Sequence, residues 1–114
     1  MKRGEIWTLA GGEDYAGKPR PAVIVQEDAF DATSSIVVCG FTTKETEAPL
    51  YRIVVAPSPE NGLRELSRIM ADKIVGLPRE KLGRRIGVLE KDHLLLLEKA
   101  LLVFLGLAGS VCDA

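Results

Sequence analysis

Short apolar runs alternate with polar, turn-forming stretches along most of the chain, and only the C-terminal part sustains a helical period. Residues 5–10 form a first strand-like run holding Ile6, Trp7 and Leu9. Residues 22–26 predict a second strand, with Pro21 tolerated at its first position. Residues 35–42 predict a third, and the unbroken Ile36-Val37-Val38-Cys39 implies burial on both faces. Residues 51–56 predict a fourth strand, and 67–75, which alternate imperfectly, a fifth. Polar loops fill 11–18, 27–35 and 43–49. Pro57, Pro59 and Asn61-Gly62 make a turn cluster that cannot sit inside a central strand.

Pro78 precedes a short helix predicted at 79–83, with Gly83 closing it. The clearest helix covers about 90–107. There Leu94, Leu97, Leu101 and Phe104 or Leu105 recur at helical spacing, and Gly106 and Gly109 mark the end. Five strands and one packing helix predict an α+β, mainly β fold: a small, strongly curved antiparallel sheet or barrel. The domain is expected to span 1–109, with 110–114 a disordered tail. The helix is apolar around most of its circumference. One face can cover the sheet, and the remainder implies an oligomer.

Composition narrows the function. The chain has 114 residues, 46% of them apolar, which suits one domain with one core. A net charge of −1 is not the footprint of a duplex-coating protein. Any nucleic-acid site must be a local basic patch. Residues 64–91 offer one, with eight Lys or Arg against four acids, though a solvated face of mixed charge explains most of them equally well. Cys39 and Cys112 lack a CxxC spacing and make no disulfide framework. Cys39 reads as a small core hydrophobe and Trp7 as packing. No leader is visible, and the C-terminal apolar stretch is too short for a bilayer and broken by Glu98-Lys99. The expectation is a cytoplasmic protein without a membrane partner.

Several chemistries lack their residues. The one histidine, His93, reads as helix surface rather than an acid/base group. There is no His/Cys spacing for a metal, no phosphate-binding Gly-Lys-Ser/Thr loop and no dinucleotide fingerprint, so no metal or cofactor is expected. What remains is a site of arginine, hydroxyls and backbone. That suffices to cleave RNA, whose own 2′-OH is the nucleophile. The protein must align that hydroxyl, stabilise the anionic transition state and assist the leaving 5′-oxygen. A guanidinium suits the second task, since its planar donors match phosphate oxygens.

Ordered fragments give this reading a family. Arg3-Gly4-Glu5-Ile6-Trp7 opens the first strand, and Gly17-Lys18-Pro19-Arg20-Pro21 leads into the second. Ser67-Arg68-Ile69-Met70-Ala71-Asp72-Lys73-Ile74 and Leu77-Pro78-Arg79-Glu80-Lys81-Leu82-Gly83 follow much later. Together, in this order and over roughly residues 2–107, they resemble the MazF/PemK toxin endoribonucleases of bacterial toxin–antitoxin pairs. The resemblance implies an SH3-like barrel with a C-terminal helix, assembled as a two-fold homodimer. It implies metal-independent, sequence-selective cleavage of single-stranded RNA, such as mRNA, to a 2′,3′-cyclic phosphate and a 5′-OH. It also implies a cognate antitoxin whose acidic C-terminal segment lies in the RNA groove.

Residue by residue, Arg20-Pro21-Ala22-Val23 matches the family's Arg-Pro pair before an apolar strand, making Arg20 the catalytic arginine. Thr42, at the end of the third strand, matches the catalytic threonine, with Thr43 the alternative. Asp14, Tyr15 and Lys18 lie in the loop that borders the RNA groove, and Tyr15 suits base stacking. Thr43, Lys44, Ser67 and Lys73 are the further RNA-binding candidates. Asp72 reads as structural, paired with a nearby lysine or arginine. The general base stays open: arginine does not take a proton at neutral pH, so either alignment suffices or another group or water serves. Two rival readings stand beside the nuclease. A CcdB-like gyrase poison uses a tryptophan at its C-terminal helix end, whereas this chain's Trp is Trp7. A non-catalytic SH3-like interaction module would have no need of Arg20 or Thr42.

Overall fold

The structure, a computed structural model, describes residues 1–10, 20–45, 47–48 and 50–108. Its strands are β1 (Glu5–Leu9), β2 (Arg20–Ile24), β3 (Ser35–Thr42), β4 (Arg52–Val55), β5 (Ser67–Pro78) and β6 (Leu82–Val88), followed by helix α1 (Lys91–Phe104). All pair antiparallel in one sheet of order β4-β5-β3-β2-β1-β6. The mainly β architecture with a C-terminal helix is the one expected. The sheet is open, with β4 and β6 as its two edges, where the pattern allowed a curved sheet or a barrel and the resemblance implied a barrel.

Two buried clusters occupy the two faces. Beneath α1, against its Leu97 and Ala100, lie Ile6, Val23, Cys39, Phe41 and Ile69, among others. On the opposite face Ala22, Ile24, Ile36, Val38 and Leu82 pack with Trp7, Leu9 and Leu77. β3 feeds both, so its unbroken apolar run is buried on both sides as predicted. Cys39 sits in the first cluster, where burial pushes its thiol up to about 12 and leaves it an inert packing group.

The sixth strand is the main departure from the sequence reading. Residues 83–88 hold two glycines and two arginines, so they show no alternation. The glycines answer to close approach: a Cβ at Gly87 would lie 2.3 Å from the Asn61 carbonyl carbon and oxygen. The predicted helix at 79–83 is a single 3-10 turn, Arg79–Lys81, because Leu82 is already buried in a strand opposite Leu9. β5 runs to Pro78, beyond the predicted 75. Its pairing with β3 slips between Cys39, opposite Ile74, and Phe41, opposite Ile69. Residues 70–73 thus stand against Gly40 alone, and a bulge of this kind bends the strand.

Helix α1 stops three residues short of the predicted 107. Gly106, at φ 75°, closes it: its N–H donates to the Val103 carbonyl, and that of Leu107 to the Leu102 carbonyl. Leu97 and Ala100 are buried against the sheet. Leu95, Leu96, Leu102, Val103, Phe104 and Leu105 are exposed, so the unpartnered apolar circumference is present. Arg3 anchors the helix to the first strands, donating to Glu98 Oε2 at 2.9 Å and to the Val25 carbonyl.

Candidate functional site

Strand register brings the two leading candidates together. β2 and β3 pair Ala22 with Gly40, Val23 with Cys39 and Ile24 with Val38. Continued by two residues, that register sets Arg20 opposite Thr42. Arg20 begins β2 and Thr42 ends β3, so both lie at one end of the sheet. Directly opposed residues share a face. For this pair it is the face away from α1, since Ala22, Ile24 and Val38 belong to the second cluster. Arg20 is flanked on its other side by Leu9 of β1.

The row continues beyond Thr42. β5 places Arg68 opposite Thr42, and β4 places Val54 opposite Arg68. Across five strands the order is Leu9, Arg20, Thr42, Arg68, Val54. Arg20, Thr42 and Arg68 are half-buried. The Thr42 hydroxyl accepts the Lys44 N–H at 3.2 Å, which fixes the side chain while its own O–H remains a donor.

The remaining candidates divide. Thr43 and Lys44 are exposed just past β3, beside the row. Lys73 is exposed at the slipped stretch of β5. Ser67 does not join them: it is buried opposite Val55, and its hydroxyl donates to the Glu65 carbonyl at 2.8 Å. Asp14, Tyr15 and Lys18 lie outside the described residues. Asp72 has the structural partner expected of it. Arg52 grips it with Nε at 2.7 Å and Nη2 at 2.8 Å, tying β4 to β5. That paired guanidinium holds the Asp72 carboxyl below its usual value. The sequence reading left Arg68 inside a basic stretch; only the slipped β3–β5 register shows where it lies.

His93 stands near Glu90, with Nδ1 3.4 Å from its Oε1, at the start of α1 and far along the chain from the row. Glu90 also accepts from Ser58 and from Asn61 Nδ2, at 3.2 Å, locking the 57–63 turn to the helix. Burial pushes the Glu90 carboxyl up, but these hydrogen bonds outweigh it and leave it lowered. Among the described residues, no three His, Cys, Asp or Glu side chains converge as a metal-binding group. None of their helices is long and apolar enough to cross a membrane.

An open antiparallel sheet with a C-terminal helix, with Arg20 and Thr42 at the ends of adjacent strands, defines a small mainly β domain. Comparison with known proteins makes this specific. The chain belongs to the family of PemK-like, MazF-like toxins of type II toxin–antitoxin systems, whose profile matches residues 2–105. It is 49% identical over 109 residues to a probable endoribonuclease MazF of Mycolicibacterium smegmatis, covering 96% of this chain and 100% of that one. It is 30% identical over 117 residues to the endoribonuclease MazF9 of Mycobacterium tuberculosis, covering 94% and 98%. Among solved structures, a mycobacterial endoribonuclease in complex with its cognate antitoxin superimposes with a TM-score of 0.75 at 27% identity, covering 94% and 96% of the two chains.

Proposed function

We propose that this chain is the toxin of a toxin–antitoxin pair and a metal-independent endoribonuclease that cuts single-stranded RNA. The observation that carries the reading is the β2–β3 register, which, continued by two residues, puts Arg20 opposite Thr42 at one end of the sheet. The relatives named above are endoribonucleases, which favours this reading over a gyrase poison or an interaction module. In the proposed reaction the substrate's 2′-oxygen bonds to the adjacent phosphorus, and the bond from phosphorus to the 5′-oxygen breaks. The leaving 5′-oxygen takes a proton from water, so the products are a 2′,3′-cyclic phosphate and a 5′-OH. Arg20 stabilises the charge that builds on the non-bridging oxygens, and the Thr42 hydroxyl donates to the same phosphate. The 2′-OH proton leaves to a group outside the row or to water, because a guanidinium does not accept it at neutral pH.

The exposed apolar side of α1 fits a second copy of the chain, and a homodimer accounts for it. One similar structure is of an endoribonuclease bound to its cognate antitoxin, and an acidic, extended antitoxin segment suits the cationic row here. Arg20→Ala and Arg20→Lys test the reading. Both should lose at least about a hundredfold in single-turnover cleavage, because alanine removes the charge and lysine the bidentate donors. Thermal melts should be nearly unchanged. Near wild-type rates for Arg20→Ala with an intact melt would remove Arg20 from the site.

A further inference from the structure

We propose that Arg68 is a second substrate-binding residue of this site. Its guanidinium holds the RNA phosphate next to the scissile one, on the side of Thr42 away from Arg20. The proposal rests on the nuclease reading above. It starts from the register, which places Arg68 directly opposite Thr42 and on the same sheet face. Adjacent strands are about 4.8 Å apart, so the Arg20 and Arg68 backbones stand about 10 Å apart with Thr42 midway.

Three further observations point to a ligand rather than to packing. Arg68 makes no ion pair among the described residues, whereas its neighbour Arg52 on the same edge is committed to Asp72 by two hydrogen bonds. Arg68 is half-buried and, with its strand partner Val54, lines an open groove of ≈ 770 Å³ that runs over the β4 edge to Ile53 and the α1 residues Leu96 and Lys99. Arg52, Arg68 and Lys99 line the groove against Glu47, a net positive lining for a polyanion leaving the Arg20–Thr42 pair toward β4. Two arginines whose backbones stand about 10 Å apart, two strand spacings, suit two successive phosphates better than one. Arg20, in line with the apolar strand that aims it, takes the reacting phosphate. Arg68, at the groove mouth, takes its neighbour. A contact to a non-reacting phosphate is made equally in the ground and transition states, so it governs KM and not kcat.

The test uses the full chain and a short single-stranded RNA containing one mapped cleavage site. A second version carries a 2′-deoxy nucleotide at that site, for binding. Arg68→Ala should raise KM about tenfold and leave kcat within about threefold. Its affinity for the deoxy version should depend less on salt, the slope of log K against log salt falling by about 0.7, as expected for one phosphate contact on a single strand. Arg68→Lys should keep that slope and recover part of the affinity. A merely structural arginine would not move the salt slope while leaving the melt intact. The proposal fails if Arg68→Ala leaves KM and slope unchanged in a wild-type background that cuts normally. It fails equally if the loss falls on kcat. Wild-type protein that neither cuts nor binds the RNA would remove the nuclease reading and this proposal together.

Discussion

Replacing Thr42 with valine separates the chemistry of the site from its folding. Valine keeps the β-branched shape that suits a strand end and removes the hydroxyl alone. The structural cost is small. The hydroxyl accepts one hydrogen bond, from the Lys44 N–H, at an exposed turn where water can replace it. Such a bond contributes about 1 kcal/mol net at most, equivalent to a shift of about 4–8 °C in melting temperature for a domain near this size. A protein stable by about 5 kcal/mol or more would stay over 99% folded after that loss. The catalytic cost is of another order. Removing one preorganised donor to a transition-state oxyanion costs about 10²–10³ in rate, or about 2.7–4 kcal/mol. Single-turnover cleavage and a thermal melt of Thr42→Val should therefore show a loss of at least a hundredfold beside a nearly intact fold. Thr43→Val, one residue past the strand and exposed, should keep most of its rate. A Thr42→Val enzyme within threefold of wild type, with Thr43→Val impaired, would refute the extension of the β2–β3 register to these residues.

Other outcomes follow from packing and charge. Leu97, on the inner face of α1, is fully buried, so Leu97→Ala should destabilise by about 2–5 kcal/mol in a denaturant titration. Asp72, its carboxyl lowered by the Arg52 hydrogen bonds, contributes stability above its ordinary value of 3.8 that is lost as pH falls through the lower folded value. Asp72→Asn should thus be less stable than wild type near neutrality, with the gap closing in acid melts below pH 3.8. Sedimentation equilibrium should show a dimer at micromolar concentration, and Leu96→Glu, which alters an exposed side chain, should weaken it without lowering the monomer's stability. A wild-type chain that stays monomeric would leave the helix face unexplained.

Much of this was legible in the residues, and the gaps have physical causes. Runs with a clean period, such as 35–42 and the leucines of α1, were placed to within a few residues because burial on defined faces dictates their pattern. β6 was not, because Gly87 is dictated by close approach to Asn61, and its arginines face solvent at an edge. Neither signal is periodic. The barrel expectation went beyond local pattern, since closure depends on whether β4 and β6 meet, which no single strand encodes. Arg20 and Thr42 were proposed from short motifs at strand ends, and the structure puts both at such ends. Arg68 was passed over as one charge among eight, because its place beside Thr42 depends on a slip between β3 and β5 that arises only in the folded sheet. Ser67 shows the converse error of proximity in sequence: one residue from Arg68, it points to the other face and into the core.

The most direct measurement is the fate of one long RNA incubated with the purified protein in excess EDTA, with cut sites mapped and both new ends identified chemically. Metal-independent attack by the 2′-OH should give discrete cuts bearing 2′,3′-cyclic phosphate and 5′-OH ends, and an all-2′-deoxy strand of the same sequence should survive. Cleavage that stops on chelation and returns with magnesium, leaving 5′-phosphate ends, would contradict the account.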